Sequence, residues 1–553
     1  MTFDKDLLSV QEARELTARA KAASLEFKHF SQKEVDAIVQ SMAEAGYRAA
    51  ESLARMAAEE TAFGKWQDKV IKNIFATKQT WESIRDLRTV GVVNTLNNGS
   101  LLEIAEPMGV VAALIPCTNP TSTAMFKAII SLKGRNAIVA SPHPRSIAST
   151  REALRILADA ADRAGAPKDL ILCMQHVSLE GTQELMKNRN TSIILATGST
   201  AMVRAAQSVG KPALGVGAGN VPAFIERTAT LRKAVADVMT GKKFDNGVLC
   251  STEASVIVDA PVADEARALM RTLNGFFCEG EDKVRLRRTL FPGGKLNPDL
   301  VGKPATFIAQ LAGIACPSTT EVLIAEITEI GRSEPLSREK LSPVLSFLVA
   351  DGWRDGCHKC IELLEFGGIG HTMAIHSNDR DVIMKFALEK PAQRVIVNSV
   401  AALGAVGYTN DLDASLTLGP GTIGGSIISV NVSAQHLINI KRVAFETNAM
   451  NDAEGRAVPQ DAQLAWNIPS VPVEGRAPRA LGARVASPEG RSSWMEEIDE
   501  RIRQKAGNPT SPSNIIHGPH SPLPQKPDTG RSTYGSGISE EEIRNIISQF
   551  KIG

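Results

Sequence analysis

The sequence has almost no net charge and no long apolar run. Over 553 residues, 62 basic and 61 acidic side chains leave a formal net charge of +1, which gives no strong attraction to nucleic acid or to an anionic membrane. No apolar stretch approaches the roughly 20 residues that a helix needs to span a bilayer. Residues 1–6 lack the basic and apolar regions of a secretory signal. We therefore expect a cytoplasmic chain without nucleic-acid or membrane partners.

Cysteines are few and widely scattered. The chain has seven, an odd number that fits a reducing compartment better than a disulfide framework. Cys357 and Cys360 form the one Cys-x-x-Cys pair, and no second ligand pair follows at the spacing of a zinc site. We expect these two thiols to share one face of a helix, and we predict no metal site.

Apolar periodicity predicts helices first and then alternating strands and helices. Residues 5–60 carry apolar positions at helical spacing, and Ser31 with Glu34 forms a capping box. From residue 109 onward, short apolar runs over 109–115, 136–140, 170–174 and 192–196 alternate with helical segments. This pattern indicates an α/β fold with a doubly wound parallel sheet, which binds ligands beyond the carboxyl ends of its strands.

The length and the composition together predict several domains. At 553 residues, with 43% apolar residues, two or three globular domains are expected. We place one over residues 1–225, a second over 226–415 and a return segment over 416–447. Residues 448–536 are rich in Pro, Gly, Ser and Arg, which predicts a largely disordered linker, and residues 537–553 form a terminal segment of their own.

Polar segments follow several of the predicted strands. Residues 117–122, which include Asn119, form a predicted loop, and Ser141, Pro142 and His143 end the next strand. Gly198 and Ser199 open a helix, whose N-terminal N–H groups could bind a pyrophosphate, an ordinary N-cap being the alternative.

The glycine-rich segment 215–220 does not match a dinucleotide fingerprint. That fingerprint needs a glycine turn that directly opens a helix, whereas residues 221–225 are predicted to form a strand. We interpret the glycines, Gly217 among them, as allowing close approach of the backbone to a ligand.

Cys250 is the candidate nucleophile. It follows the turn-prone sequence Asp245-Asn246-Gly247 and precedes a predicted strand over 254–258. A thiol at such a junction can be reached by a substrate, although a cysteine can equally be a small buried hydrophobe.

Three segments resemble those of CoA-acylating aldehyde dehydrogenases, including the aldehyde domain of bifunctional aldehyde/alcohol dehydrogenases. They are residues 243–253 around Cys250, residues 116–120 around Asn119 and residues 339–343, which begin with Glu339. The resemblance covers roughly residues 8–445. It implies an aldehyde dehydrogenase-like fold: a Rossmann-type NAD-binding domain over 1–225, a catalytic domain over 226–415 and an oligomerisation arm. A homodimer or homotetramer is implied as well.

The resemblance also implies roles for single residues. Cys250 would attack an aldehyde, and hydride transfer to NAD would leave a thioester. Asn119 and the backbone N–H of Cys250 would hold the developing alkoxide. The implied cofactor contacts are Glu339 with the nicotinamide ribose, Gly198 and Ser199 with the pyrophosphate, and Ser141, Pro142 and His143 with the adenosine ribose. His143 stands near the place where many relatives have a lysine, which leaves the choice between NAD and NADP open.

One departure from the hydrolytic relatives points to coenzyme A. Those enzymes carry a glutamate 34 residues before the nucleophile, where it activates water. Here that position is Val216, which cannot accept a proton, so a CoA thiol is the expected acceptor of the acyl group. The alternative is a hydrolytic enzyme that uses another base, such as Glu253.

The end of the sequence predicts a short amphipathic helix. Ser539 and Glu542 form a capping box, and an apolar stripe follows at Ile543, Ile546, Ile547 and Phe550. Residues 537–553 resemble the encapsulation peptides that recruit enzymes into bacterial microcompartments, which implies shell proteins as partners. The alternatives are that this segment folds back on its own enzyme, frays, or is itself the working part of a binding protein.

Overall fold

The computed structural model describes residues 4–458. Residues up to Phe445 belong to one compact unit, and the short segment 446–458, closed by a bridge between Asn451 and Ala457, belongs to another. The rest of the predicted linker and the predicted terminal helix lie outside the described residues. Within 4–458, no helix combines the length and the apolar character that crossing a bilayer requires.

Five helices precede the sheets: α1 (Lys5–Phe27), α2 (Gln32–Arg48), α3 (Ala50–Thr61), α4 (Trp66–Ile74) and α5 (Thr80–Ile84). The predicted capping box is present at the start of α2, where the Glu34 carboxylate accepts from the Ser31 N–H at 2.8 Å. An antiparallel pair, β1 (Gly91–Leu96) and β2 (Leu101–Pro107), follows.

The first large sheet is parallel and five-stranded. Its strands are β3 (Val110–Ile115), β4 (Ala137–Pro142), β5 (Ile171–Cys173), β6 (Thr191–Thr197) and β7 (Ala213–Val216), in the order β5-β4-β3-β6-β7. Its helices are α6 (Pro120–Lys133), α7 (Ile147–Arg163), α8 (Leu179–Lys187) and α9 (Thr200–Gln207). β3 and β4 are buried along their whole length, as expected for strands covered on both faces. The strand order reverses between β3 and β6, the point where such sheets bind ligands.

The second large sheet is parallel and seven-stranded. Its strands are β8 (Val221–Ile225), β9 (Glu253–Asp259), β10 (Gly275–Phe277), β11 (Val322–Glu326), β12 (Val344–Ala350), β13 (Gly370–His376) and β14 (Ala392–Val397), in the order β10-β11-β12-β9-β8-β13-β14. Its helices are α10 (Leu231–Lys243), α11 (Ala263–Thr272), α12 (Gly280–Leu290), α13 (Ala305–Ala312), α14 (Gly352–Gly367), α15 (Arg380–Glu389) and α16 (Ala401–Gly404). Cys357 and Cys360 are both buried on α14. A last strand, β15 (Ile438–Ala444), joins β2 and makes the small sheet three-stranded.

The predicted α/β class with parallel sheets is confirmed, and two local predictions need correction. α6 begins at Pro120 instead of after Ser122, because proline is favoured in the first helical turn, where no hydrogen bond is lost. β8 pairs with β9 and β13, so the change of sheet falls before Val221 and not at residue 225. The short glycine-rich segment between β7 and β8 is the crossing from one sheet to the other.

Candidate active site

A cavity of about 680 Å³ lies where the two large sheets meet, a size typical of small-molecule sites. The segments that follow β3, β4 and β6 supply one side, and the segments that precede β8, β9 and β12 supply the other. The cavity therefore joins the carboxyl edge of the first sheet to the amino edge of the second. The nine residues predicted to take part in catalysis or cofactor binding all line it: Asn119, Ser141, Pro142, His143, Gly198, Ser199, Gly217, Cys250 and Glu339.

Cys250 reaches this cavity through an unusual turn. Asp245, Asn246 and Gly247 all have left-handed backbone angles, with φ of 46°, 52° and 72°, which Gly, Asn and Asp tolerate best. The Asn246 side-chain amide fixes the turn by donating to the Gly302 carbonyl at 2.9 Å. Cys250, three residues further on, is a partly exposed residue.

The environment of Cys250 disfavours the thiolate in the absence of ligands. Burial, assisted by the nearby Glu339 carboxylate, raises the pKa of the thiol to about 12. The Arg394 guanidinium and the backbone N–H groups of Cys250 and Ser251 act in the opposite direction but do not overcome burial. The thiol is therefore protonated at neutral pH in the free chain.

Asn119 occupies the N-cap position of α6, at the end of β3. Its side chain does not cap the helix. Instead, Oδ1 accepts from Lys72 Nζ at 2.5 Å and Nδ2 donates to Thr118 Oγ1 at 3.1 Å. The amide is thus held at the cavity wall by contacts at both of its ends.

A buried ion cluster behind Asn119 was not predicted from the sequence. Lys69 and Lys72 of α4 both donate to Asp245 Oδ2, and all three side chains are nearly inaccessible. Asp245 also accepts the Lys65 N–H at 2.7 Å. A Lys at i and i+3 on a polar helix indicates a solvated face, because lysines are rarely buried. No sequence signal marked the pair as internal.

The predicted pyrophosphate turn is a helix N-terminus that opens into the cavity. Ser199 is the N-cap residue of α9, and its hydroxyl accepts from the Met202 N–H at 3.3 Å. A Cβ on Gly217 would lie 3.3 Å from Thr200 Oγ1, so a side chain there would crowd this turn. The hydroxyl caps the Met202 N–H, and the N–H groups of Thr200 and Ala201 at the start of the helix are left to bind an anion.

The predicted adenosine-side residues are tied to neighbouring side chains. Ser141 Oγ lies 2.9 Å from Thr182 Oγ1 of α8, and His143 Nδ1 accepts from the Arg145 N–H at 3.1 Å. Burial and the Arg145 charge lower the pKa of His143. This end of the cavity is uncharged at His143, with Arg145 directly behind it.

Glu339 lies at the opposite end, next to Cys250. Its carboxylate accepts from the Gly219 N–H at 2.9 Å, and burial raises its pKa. The carboxylate lines the cavity, where a ligand hydroxyl could donate to it.

The position of the hydrolytic base holds no carboxylate. Val216 ends β7, lines the cavity and is 1% exposed. Glu253, the alternative base, is fully buried at the start of β9, does not line the cavity, and accepts from the Ala401 N–H at 2.6 Å. Burial raises its pKa to about 7. Glu253 therefore supports the α16 turn and does not face the cavity.

His371 is a second residue that the sequence did not mark. A Cβ on Gly219 would lie 1.8 Å from the Cys250 carbonyl oxygen and 3.3 Å from His371 Cε1, so the imidazole packs close behind the nucleophile. Its Nδ1 contacts Thr372 Oγ1 at 3.0 Å, and its Nε2 has no hydrogen-bond partner among the described residues. Burial and Arg394 lower its pKa to about 3, so the ring is neutral at neutral pH.

Known aldehyde dehydrogenases are similar to this chain in sequence and in fold. The profile of the aldehyde dehydrogenase family matches residues 6–273. An acetylating aldehyde dehydrogenase from Geobacillus thermoglucosidasius is 45% identical, with a TM-score of 0.80 over 81% of this chain and 99% of that one. A propionaldehyde dehydrogenase from the fucose utilisation bacterial microcompartment of Clostridium phytofermentans is 28% identical, with a TM-score of 0.72 over 78% of this chain and 97% of that one.

The chain belongs to the aldehyde dehydrogenase family. Within it, the chain groups with the acylating members of the aldehyde-alcohol dehydrogenase type. The bifunctional aldehyde-alcohol dehydrogenase of Escherichia coli is 43% identical over 447 residues, which are 80% of this chain and 50% of that protein. The chain thus spans about half the length of the bifunctional relatives it matches.

Proposed function

We propose that this protein oxidises a short-chain aldehyde to an acyl-CoA, reversibly, with NAD⁺ and coenzyme A and through a thioester on Cys250. The observation that carries the proposal is the pairing of a cavity-lining cysteine with Val216 where a hydrolytic enzyme needs a base. Val216 leaves the thioester without a base at the position from which the hydrolytic relatives activate water, so a thiol is the expected acceptor of the acyl group.

The cavity fits a nicotinamide dinucleotide. The N-terminus of α9 at Ser199, the Glu339 carboxylate and the glycine-rich crossing at Gly217 lie along its wall. The dinucleotide supplies a hydride acceptor when bound. Residues of the first sheet would bind its phosphates and adenosine, so we propose that the N-terminal part of the chain is the cofactor domain and that the part that follows is the catalytic domain.

Cys250 Sγ, once deprotonated, attacks the aldehyde carbon and forms a thiohemiacetal. The Asn119 amide and the Cys250 N–H hold the oxygen that becomes negative. Loss of a hydride from the former aldehyde carbon, for which NAD⁺ in the cavity would be the acceptor, leaves the thioester. Coenzyme A then attacks the thioester carbonyl as its thiolate, the C–S bond to Cys250 breaks, and Cys250 leaves as the thiolate.

We further propose that the small sheet carries the contact with a second copy of the chain. Val92 and Leu96 on β1 and Ile440 and Val443 on β15 are each at least 36% exposed, and a covering subunit would remove this apolar surface from water. A homodimer or homotetramer by mass photometry is the expected result. A monomer at micromolar concentration would contradict it.

We also propose that residues 537–553 direct the enzyme into a bacterial microcompartment. Two facts support this: the apolar stripe in the sequence of that segment, and the microcompartment origin of the propionaldehyde dehydrogenase to which the chain is similar.

The main test is an NADH-formation screen of acetaldehyde, propionaldehyde and other short aldehydes, with and without coenzyme A. We expect turnover to require CoA, with acyl-CoA as the product by mass spectrometry. Sustained turnover to free carboxylic acid without CoA would refute the proposal.

A further inference from the structure

The buried cluster behind Asn119 contains a contact that decides which end of the amide faces the cavity. The two ends of an asparagine amide are nearly the same size, so packing alone does not fix their orientation. A lysine ammonium has three donors and no acceptor. The contact from Lys72 Nζ at 2.5 Å can therefore be made only to Oδ1. Nδ2, the donor end, is then directed elsewhere.

This arrangement leaves one donor of Asn119 available. Nδ2 carries two N–H groups, and Thr118 Oγ1 accepts one of them at 3.1 Å. The other can serve an oxyanion at the cavity wall. A flipped amide would instead present a carbonyl oxygen there, which would repel the developing negative charge.

Lys72 is itself fixed in place. It is 4% exposed and shares Asp245 Oδ2 with Lys69, while the other Asp245 oxygen accepts the Lys65 N–H. Burial lowers the pKa of Lys72 to about 8, although Asp245 opposes the shift, so the ammonium form prevails at neutral pH. The same Asp245 belongs to the left-handed turn that leads to Cys250. One buried carboxylate therefore links the segment of the nucleophile to the amide that would hold the oxyanion.

We infer that Lys72, held in place by Asp245, is a positioning residue: its direct contact with Oδ1 orients the Asn119 amide so that the N–H donor faces the reacting oxygen. This inference rests on the proposed oxyanion role of Asn119. It assigns the N-terminal helix α4 a part in the chemistry although Lys72 does not line the cavity.

The test is a double-mutant cycle with a matched control. Lys72→Met removes the donor to Asn119, whereas Lys69→Met removes an equally buried ammonium that contacts the same Asp245 oxygen and the Thr118 carbonyl but not Asn119. We measure the rate of NADH formation in the first turnover, the KM for the aldehyde, the Kd for NAD⁺ and the melting temperature.

We expect Lys72→Met to slow the first turnover by about tenfold to a hundredfold. This loss is smaller than the roughly 100- to 1,000-fold expected for Asn119→Ala, because the amide is misoriented instead of removed. KM and Kd should change by less than about threefold, because binding does not use this donor. In the Asn119→Ala background, Lys72→Met should have almost no further effect, since residues that act through one another are not additive. Lys69→Met should keep the rate within about threefold.

Three results would overturn the inference. The rate losses of Lys72→Met and Asn119→Ala could multiply in the double variant, Lys72→Met could leave the first-turnover rate unchanged, or Lys69→Met could lower that rate as much as Lys72→Met does. A wild-type rate in Asn119→Ala would refute the oxyanion role and the inference with it. If Asn119→Ala slows the first turnover and Lys72→Met does not, only the inference is refuted. If Lys72→Met does not fold, Lys72→Gln and Lys72→Arg replace it. Arginine can only donate and should keep the rate, whereas glutamine can donate or accept and should not.

Discussion

The protonation state of Cys250 gives the sharpest test of the site. The structure holds the pKa of this thiol at about 12, through burial and the nearby Glu339 carboxylate. Compared with an ordinary thiol of pKa about 9, three pH units cut the thiolate fraction at neutral pH by about a thousandfold. The more basic thiolate is also more nucleophilic, by about 20-fold at a Brønsted slope of 0.45. Alkylation should therefore be about fiftyfold slower than for an ordinary exposed thiol.

The assay is alkylation of the ligand-free enzyme by iodoacetamide between pH 6 and pH 10, with the Cys250 peptide quantified by mass spectrometry. Cys117 lines the same cavity, so its peptide is quantified separately. We expect the Cys250 rate to rise about tenfold per pH unit without a plateau, because the thiolate fraction grows tenfold per unit below the pKa.

Glu339→Gln should speed this alkylation at a fixed pH, because it removes a negative charge that raises the pKa of Cys250. Glu180→Gln is the matched control: Glu180 also lines the cavity but is not among the groups that shift this pKa. A plateau of the wild-type rate below pH 9, or the same acceleration in both variants, would refute the reasoning.

Three further predictions follow from the proposed reaction and location. Cys250→Ala should abolish acyl-CoA formation yet retain NAD⁺ binding and the melting temperature, whereas Cys117→Ser should keep most of the turnover; near wild-type activity of Cys250→Ala would remove it as the nucleophile. Val216→Glu should release carboxylic acid in the absence of CoA, measured by chromatography, and should lower the melting temperature because a carboxyl is buried there; no increase in acid would count against the missing base as the cause. A fluorescent protein fused to residues 537–553 should colocalise with microcompartment shells and disperse with Ile543→Glu and Ile547→Glu, and diffuse signal from the unmutated fusion beside intact shells would contradict the targeting role.

Local sequence patterns determined much of the fold. β3 and β4 are continuous apolar runs because both their faces are covered, and the Ser31–Glu34 capping box needs only residues within one turn. The polar segments after β3, β4 and β6 could also be predicted locally, because the end of an apolar run predicts the end of a strand.

The tertiary structure alone decided which segments meet. Residues 221–225 could be predicted as a strand, but their pairing with β9 and β13 depends on residues more than 25 positions away. The same holds for the site, where the carboxyl edge of one sheet faces the amino edge of another and so joins Asn119 to Cys250 and Glu339.

Burial of charge was the feature that the sequence concealed most completely. Lys72 and Asp245 lie 173 positions apart, and each on its own has the sequence character of an exposed residue. A lysine ammonium can be buried only where a carboxylate and other acceptors bind it. These partners come together only when α4 packs beside the turn that precedes Cys250. The identity of the candidate nucleophile could therefore be predicted from the chain, whereas the polar cluster that surrounds it exists only in the folded structure.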